Sequence, residues 1–388
     1  MMRVTRQDRT AETAPGPMAR LIARLAAVSA GPGPAQPGPM RSRLARFLPL
    51  GVVLVVFVVL PLADMQVPWV LPGPVDVLNS AGTLAVFGLC FVFAGVALGF
   101  DLLFGFTGLL SLGQVLYFAT GVYVLDIALS DWQWPLLPAT LLTMAVGFML
   151  AVVLGAISLK ARGIAFAMVT LAFAQAGYYL IEDNPHNLTG GDVGLVMSTG
   201  RLPSMLVGVI STRNLYWLAL AFLVAAYGLV WLTTESVTGR VWQAIRDSET
   251  RTEVLGLGAF PFKLASFVIA SLIAVAGGMV YLLLIGTAAP DSVASTTLTI
   301  SVLVMVVLGG VGTRWGAVIG AMIYVYLQQY LLKVAAERSF SGLPGVLRIP
   351  LSQPGFLLGT IFVVLVLFAP GGIAGLASRA RAARRAAD

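Results

Sequence analysis

Charged residues are scarce in this sequence. Asp, Glu, Lys and Arg make up 11% of the 388 residues, whereas hydrophobic residues make up 58% and the mean hydropathy is +0.92. A soluble globular protein carries about 25% charged residues, so this composition excludes a soluble domain. The sequence instead predicts an all-α polytopic membrane protein.

Cysteine and histidine are nearly absent. The single cysteine, Cys90, lies in an apolar run, and the single histidine is His186. The sequence therefore excludes an intrachain disulfide and indicates neither a thiolate metal site nor a histidine-based triad. An integral membrane enzyme is the least favoured alternative, because it would need His, Asp or Glu clustered at one membrane face. We predict no catalytic and no metal-binding residues.

Lysine is the third scarce residue type. None of Lys160, Lys263 and Lys333 follows a glycine, so the G-x-x-x-x-G-K-[ST] loop that binds nucleotide phosphates is absent. We therefore predict no cofactor on this chain, and any ATP and Mg²⁺ would bind to partner subunits. The net charge of +7 is spread over tails and short loops, which is the pattern of membrane orientation, and we expect no nucleic-acid partner.

A membrane-spanning helix requires about 20 apolar residues, and runs of that kind predict about ten transmembrane helices here. The clear ones cover residues 47–63, 80–99, 135–158, 164–181, 214–233, 264–285 and 354–369. Three more, over residues 105–129, 296–311 and 315–334, are less regular. We expect some of these helices to be broken or glycine-rich.

The basic residues predict the orientation of the chain. Residues 1–46 are predicted to be a disordered basic tail, residues 47–375 the transmembrane domain, and residues 376–388 a second basic tail. With both termini in the cytoplasm, 19 of the 24 Lys and Arg residues lie on the cytoplasmic side, as the positive-inside rule requires. Residues 182–213 then form an external loop, and residues 235–263 form a cytoplasmic loop.

Residues 235–263, which we call the polar island, interrupt the apolar sequence of the C-terminal half. The four basic residues of the island balance its four acidic residues, so net charge alone does not hold it on an anionic membrane surface. Thr250 and Glu253 have the spacing of a capping box, and Gly256 can end a helix. These signals predict two short helices that meet near Ser248.

One stripe of the first predicted helix is apolar, because Val241, Trp242 and Ile245 fall on the same side. An amphipathic helix of this kind is either a connector that rests on lipid headgroups or a surface that docks a protein. The residues of the island alone leave both interpretations open.

Five glycines lie between residues 99 and 121 at presumed membrane depth. Glycine costs about 1 kcal/mol relative to alanine in a helix interior. The cluster therefore indicates either close contacts between helices or a broken helix that lines a cavity. A second cluster at residues 308–320 predicts a tight cytoplasmic turn between two helices.

Ionisable residues at membrane depth are few, and Asp101 and Asp126 are the best candidates. Their positions near helix ends favour residues of the membrane interface over buried functional groups. This scarcity argues against an ion-coupled secondary transporter, which usually contains a buried carboxylate, but that class is kept as an alternative.

Five motifs carry a resemblance to a known family. They are ALGFDLLFGFTGLLSLGQVLYFATGVY at residues 97–123, LTGG-x-x-GL at 188–195, G-R-x-x-x-A-I-R-x-x-E with a following L-G at 239–256, VVLGG-x-G-x-x-WG at 306–316 and LFAP-x-G at 367–372. In this order and spacing the chain resembles LivM-type permeases of the branched-chain amino acid ABC transporter family. The resemblance implies one subunit of an importer in the bacterial cytoplasmic membrane, with branched-chain amino acids or a related small polar solute as cargo.

The resemblance also implies that the polar island contains a coupling helix that docks on a cytoplasmic ATPase. Trp242 and Ile245 would fill an apolar pocket, and Arg240, Arg246 and Glu249 would form ion pairs at its rim. Two glycines would set the turns. The candidate coupling residues are Gly239, Arg240, Trp242, Ala244, Ile245, Arg246, Glu249, Leu255 and Gly256. The expected partners are a second, LivH-type permease, two ATPase subunits, an extracytoplasmic solute-binding protein and membrane lipid.

A solute path is expected along the first glycine cluster. The candidate path residues, which can offer hydrogen bonds to a zwitterion, are Thr107, Ser111, Gln114 and Tyr117. Thr189, Gly190 and Gly191 are expected to contact the binding protein or to close the outer mouth. The family often has asparagine and histidine where this chain has Asp101 and Gln114, so the resemblance does not identify the solute.

Overall fold

The computed structural model describes residues 80–198, 200, 212–336, 354–368 and 371–375, all within one compact unit, Leu60–Asp388. The predicted tails 1–46 and 376–388 and the predicted helix 47–63 lie outside the described residues. The orientation of the termini therefore stays a prediction.

The described residues are almost entirely helical, which confirms the all-α class. The helices are α1 (Ala81–Asp101), α2 (Gln114–Ser130), α3 (Leu136–Ser158), α4 (Ile164–Glu182), α5 (Thr212–Glu235), α6 (Val237–Asp247), α7 (Glu249–Val254), α8 (Ala259–Ile285), α9 (Pro290–Val293), α10 (Thr296–Gly309), α11 (Arg314–Ala336) and α12 (Pro354–Phe368). Within the described ranges, seven helical segments are long and apolar enough to cross a membrane. The chain is thus a multi-pass membrane protein, and the count of ten helices stays a prediction.

Helices α1 and α8 form the core of the bundle. Helix α1 packs against α5, α8, α10 and α11, and α8 also packs against α2 and α3. Helix α3, by contrast, exposes a row of apolar side chains that includes Leu137, Leu141 and Met149. An exposed apolar row on a helix of this length is suited to lipid, so α3 lies at the periphery of the bundle.

Glycine brings α2 and α8 into backbone contact. A Cβ atom added at Gly121 would overlap the carbonyl oxygen of Val275, and one added at Gly278 would overlap that of Phe118. Small residues allow helices in membranes to approach this closely. The first explanation for the glycine cluster, close helix contacts, is therefore confirmed at Gly121.

A broken helix is confirmed as well, but its boundaries differ from the prediction. Helix α1 continues without a gap into a π-helical segment, Leu102–Thr107, and the regular helix resumes only at Gln114. The break begins at Gly108, whose φ of 78° lies in the left-handed region that favours glycine. Residues 105–129 are therefore not one helix, because the left-handed residue ends the ladder of hydrogen bonds.

Two short strands join distant parts of the chain at the end of the bundle where α8 terminates. Leu195–Val196 (β1) pairs in antiparallel fashion with Thr287–Ala288 (β2), which directly follows α8. Before β1 the loop forms two short 3-10 turns, Pro185–Asn187 and Gly191–Val193. The predicted external loop is thus fastened to the end of α8.

Candidate functional site

The polar island folds as two short helices, α6 and α7, that meet at Ser248 as predicted. The side chain of Ser236 accepts a hydrogen bond from the backbone N–H of Gly239 and caps α6. Ser248 accepts one from the N–H of Arg251 and caps α7, so the cap is Ser248 and not Thr250. Serine is a preferred N-cap because its hydroxyl satisfies a free N–H of the first turn.

The apolar stripe of α6 faces inward, against this chain. Trp242 is fully buried and Ile245 is 4% exposed. The indole Nε1 of Trp242 donates a hydrogen bond to the carbonyl oxygen of Phe262, 2.8 Å away, at the start of α8. The apolar pocket that we expected these two side chains to fill is therefore formed by this chain and not by a partner.

Gly239 allows α6 to fold back tightly on α5. A Cβ atom at this position would overlap the carbonyl oxygen of Thr234, the penultimate residue of α5. Gly256 follows α7 with a φ of 84°, so it ends that helix in the left-handed conformation predicted for it. Both glycines thus set turns of the island, as expected.

Four charged side chains of the island bind to other residues of this chain. Glu249 pairs with Lys263 at 2.6 Å, and Glu235 pairs with Arg314 of α11 at 2.8 Å. The guanidinium of Arg246 donates to the backbone carbonyl of Gly105 in the π segment. Two of the three residues expected to form rim pairs with a partner, Arg246 and Glu249, thus have partners within this chain.

The outward surface of the island is partly apolar. Arg240 and Ala244 are exposed on α6. Beyond them, the side chains of Val254 and Leu255 are 82% and 81% exposed, and Leu257 and Phe260 are exposed nearby. We call Val254, Leu255, Leu257 and Phe260 the apolar patch. Contiguous exposed apolar residues of this kind mark contact surfaces.

The carboxylates that we placed at the membrane interface are buried inside the protein. Asp101 is 1% exposed, and its Oδ1 accepts a hydrogen bond of 2.7 Å from the N–H of Gly312. Asp126 is fully buried and accepts a hydrogen bond of 2.8 Å from the hydroxyl of Ser130. The interfacial interpretation is therefore wrong for both, because neither side chain reaches the surface of the bundle.

The four candidate path residues are all buried, but they do not form one site. The hydroxyl of Thr107 donates to the carbonyl of Leu102, and that of Ser111 accepts from the N–H of Gly113. Tyr117 packs its ring edge-on against Phe267 of α8. Of the four, only Gln114 lines the small cavity described next.

This cavity, of about 10 Å³, lies between α1, α2 and α10 and is walled mainly by apolar side chains, among them Phe93, Phe100 and Phe118. Gln114 and Thr299 are its polar lining residues. The Gln114 Nε2 and Thr299 Oγ1 atoms are buried and have no hydrogen-bond partner among the described residues. Sequence reasoning missed Thr299, because it lies 185 residues from Gln114 and in no recognised motif.

In the loop after α4, the candidate residues form a compact local structure. The side-chain oxygen of Asn184 accepts from the N–H groups of Thr189 and Gly190, at 2.9 and 3.1 Å. The hydroxyl of Thr189 donates to the carbonyl of Ile181 at the end of α4. Thr189, Gly190 and Gly191 therefore shape the loop. Among its described residues, Leu188, Val193 and Val196 are exposed apolar side chains.

No group of three or more His, Cys, Asp or Glu side chains is arranged to hold a metal ion within the described part of the chain. The features of the site are thus an island with an exposed apolar patch and a helix break. The fold is that of a polytopic membrane protein.

Residues 82–366 match the family described as the branched-chain amino acid transport system / permease component, and the chain belongs to that family. It is similar to the high-affinity branched-chain amino acid transport system permease protein LivM of Escherichia coli K12, with 26% identity over 324 residues, 76% of this chain and 70% of the relative. The Salmonella typhimurium LT2 LivM is 25% identical over the same shares. A probable LivM of Methanocaldococcus jannaschii is 24% identical over 246 residues, 61% of this chain and 68% of that protein. No solved structure matches the chain.

The match covers nearly all of the described residues, so the resemblance to LivM-type permeases is confirmed. The family groups this chain with the permease components of transport systems.

Proposed function

We propose that this chain is the permease subunit of an ABC importer in the bacterial cytoplasmic membrane. Its cargo is a branched-chain amino acid or a related small polar solute, and separate ATPase subunits supply the energy. The assembly contains a second, LivH-type permease, two ATPases and an extracytoplasmic solute-binding protein. The observation that carries the proposal is the polar island, whose inner face is anchored in the bundle while an apolar patch stays exposed.

The anchoring of the island supports docking of a protein partner rather than rest on lipid. An amphipathic helix that lies on a membrane inserts its apolar face into the lipid. Here the apolar face of α6, with Trp242 and Ile245, is already used inside the chain. The exposed side presents Arg240 and Ala244 beside the apolar patch, which is the mixture of an apolar centre and a polar rim found at protein interfaces.

Leu255→Asp tests this docking surface. We expect at least a ~30-fold loss of affinity for the ATPase, because a buried apolar anchor of an interface contributes about 2 kcal/mol or more. The measurement is co-purification of the ATPase with the permease from detergent. Folding should be unchanged, since Leu255 is 81% exposed in the isolated chain.

Val193→Asp is the matched control, because Val193 is 91% exposed but belongs to the loop after α4, near the opposite end of the bundle. It should leave ATPase co-purification at the level of the unmodified chain. Equal amounts of ATPase bound to both variants would rule out the apolar patch as the docking surface.

The break between α1 and α2 is the proposed solute path. A helix break at membrane depth is tolerated where it borders protein or a water-filled cavity, and here it leads directly to Gln114. The amide of Gln114 can donate a hydrogen bond to a carboxylate, and the aromatic walls suit an aliphatic side chain. The described cavity has room for about one water, so a solute would enter only after the helices move apart.

Gln114→Leu should separate stability from transport. The Gln114 Nε2 atom has no partner among the described residues, so an apolar side chain at this position is neutral or stabilising, and the unfolding temperature should stay the same or rise. Transport should lose a hydrogen bond to a charged group, which raises the KM for uptake about 10-fold or more. Thr143→Val is the control, because Thr143 is a buried polar residue of α3 whose hydroxyl bonds only to its own helix. An unchanged KM in Gln114→Leu would remove this residue from the path.

An ion-coupled carrier is the second candidate, favoured by the two buried carboxylates. Both carboxylates have structural uses, however, since Asp101 accepts from Gly312 and Asp126 accepts from Ser130. Uptake by vesicles that contain the whole assembly discriminates the two classes. Uptake by an ABC importer continues after an ionophore collapses the ion gradients and stops without ATP. Uptake by an ion-coupled carrier stops when the gradients collapse and continues without ATP.

A further inference from the structure

Three segments that are far apart in the sequence meet at one point beside the polar island. They are the π segment with Gly105, helix α6 with Arg246, and the turn between α10 and α11 with Gly312. Asp101, in the last turn of α1, bonds through Oδ1 to the N–H of Gly312. We call Asp101, Gly105, Arg246 and Gly312 the glycine joint.

The two glycines make the joint a direct backbone contact. A Cβ atom at Gly105 would overlap both Asp101 Oδ1 and the backbone nitrogen of Gly312. One at Gly312 would meet the guanidinium of Arg246 at 3.2 Å. No side chain therefore separates the π segment from the α10–α11 turn, so a displacement of one is passed to the other by direct contact, and α6 is attached to both through the Arg246 side chain.

The end of a helix explains why Arg246 binds at this position. The last carbonyl groups of a helix have no partner within it, and they carry a partial negative charge that attracts cations. Gly105 lies in the final turn of the segment that ends at Thr107, and its carbonyl is the acceptor for Arg246. The contact thus ties α6 to the chain three residues before the break begins.

The π-helical form of this segment is the second reason to assign it a role. A π-helix is rare and occurs most often as a single turn at functional sites. Here it lies between α1, which is central to the bundle, and the break at residues 108–113 that precedes Gln114. Movement of the joint therefore acts on a part of the chain with few regular backbone hydrogen bonds.

We propose that Asp101 and Arg246 are positioning residues that convert movement of α6 into movement of the helix break. This inference rests on the proposed function, in which the ATPase moves α6. It assigns Arg246 a role within the permease instead of a contact with the ATPase. It also gives the buried Asp101 a use other than ion binding, because its carboxylate holds the α10–α11 turn against the π segment.

The test uses the full assembly in lipid vesicles, with Arg246→Met and Asp101→Leu as disruptive variants, because neither methionine nor leucine can form the hydrogen bond that it replaces. Arg246→Lys and Asp101→Asn are the conservative variants, since lysine still donates to a carbonyl and asparagine still accepts from an N–H. Co-purification of the ATPase, ATP hydrolysis and solute uptake are measured for each. We expect the disruptive variants to keep co-purification and ATP hydrolysis within twofold of the unmodified protein, while solute moved per ATP falls at least tenfold. The conservative variants should recover most of that ratio.

Each other result has a defined meaning. An unchanged ratio of uptake to ATP hydrolysis in Arg246→Met and Asp101→Leu would overturn the inference and leave the proposed function intact. Loss of the ATPase from Arg246→Met alone would make Arg246 a docking residue and also overturn the inference. Failure of the unmodified chain to bind any ATPase would instead contradict the proposed function. If Asp101→Leu does not fold, the two Arg246 variants decide the question by themselves.

Gly105→Ala is a further variant of the joint, and Gly82→Ala is its matched control, because both replace glycine by alanine. An added Cβ atom at Gly82 has no neighbour within 4 Å, and this glycine lies in the first turn of the same helix. It should keep the ratio of uptake to hydrolysis unchanged, whereas Gly105→Ala, which forces the joint apart, should lower it.

Discussion

Trp242→Ala should release the polar island from the bundle. The side chain is fully buried, and its indole donates to the carbonyl of Phe262, so alanine leaves both a cavity and an acceptor without its donor. Removing a buried tryptophan costs about 3–5 kcal/mol. Because the island contributes only part of the total packing, we expect local opening of α6 and α7 at a lower cost than unfolding of the whole chain.

Limited proteolysis with trypsin measures this opening directly. The island contains Arg240, Arg246, Arg251 and Lys263, so cleavage within it should accelerate about 100-fold or more in Trp242→Ala. Trp132→Ala is the control, because Trp132 is 53% exposed and lies in the turn after α2. Equal cleavage rates in the two variants would show that Trp242 does not anchor the island.

Gly121→Ala should destabilise the bundle, although alanine is the better helix former. The added methyl group would overlap the carbonyl oxygen of Val275, a backbone atom that cannot turn aside as a side chain does. Overpacking of this kind costs about 1–3 kcal/mol, and the adjacent close contact at Gly278 prevents relief by a simple shift. The expected result is a clearly lower unfolding temperature in detergent and less protein in the membrane.

Gly228→Ala provides the same substitution without the overlap. Gly228 lies within α5, and an added Cβ atom there has no neighbour within 4 Å. Because alanine has a higher helix propensity than glycine, this variant should be as stable as the unmodified chain or more stable by up to about 1 kcal/mol. An unfolding temperature of Gly121→Ala as high as that of Gly228→Ala would refute the close contact between α2 and α8.

Hydropathy was sufficient to predict most helices of this protein, because lipid imposes a strong requirement on length and composition. The predicted helices 135–158 and 164–181 agree with α3 and α4 to within one residue at each end. The break after Thr107 was harder to place. Glycine is favourable both at a helix break and at a close helix contact, so Gly108 and Gly121 have the same sequence signal and opposite structural roles.

Local patterns predicted the two helices of the island but not the direction in which they face. The stripe of Trp242 and Ile245 was visible from its helical spacing, yet spacing does not reveal whether the neighbour is the same chain or a partner. The indole of Trp242 bonds to Phe262 of α8, a helix that begins 17 residues after Trp242 in the sequence. The capping residue was missed for a similar reason, because Ser248 and Thr250 are both good caps and the register of the turn selects between them.

Long-range contacts were beyond the reach of sequence patterns. Arg246 and Gly105 are 141 residues apart, and Asp101 and Gly312 are 211 apart. Each of these polar groups can form a hydrogen bond with many partners, so residue type alone does not identify the one that the fold brings near. Thr299 beside Gln114 is a further case, since one buried threonine in an apolar helix has no distinguishing neighbours in the sequence.

Helix α8 links the two ends of the molecule as a single rigid rod. It has 27 residues and is therefore about 40 Å long. One end is held to α7 by the ion pair of Lys263 with Glu249, and the other continues into β2, which pairs with β1. Tilting such a rod by about 5° around its midpoint moves its ends by roughly 2 Å in opposite directions. A tilt of α8 therefore displaces the ion pair and the two-residue sheet together, although they lie at opposite ends of the helix.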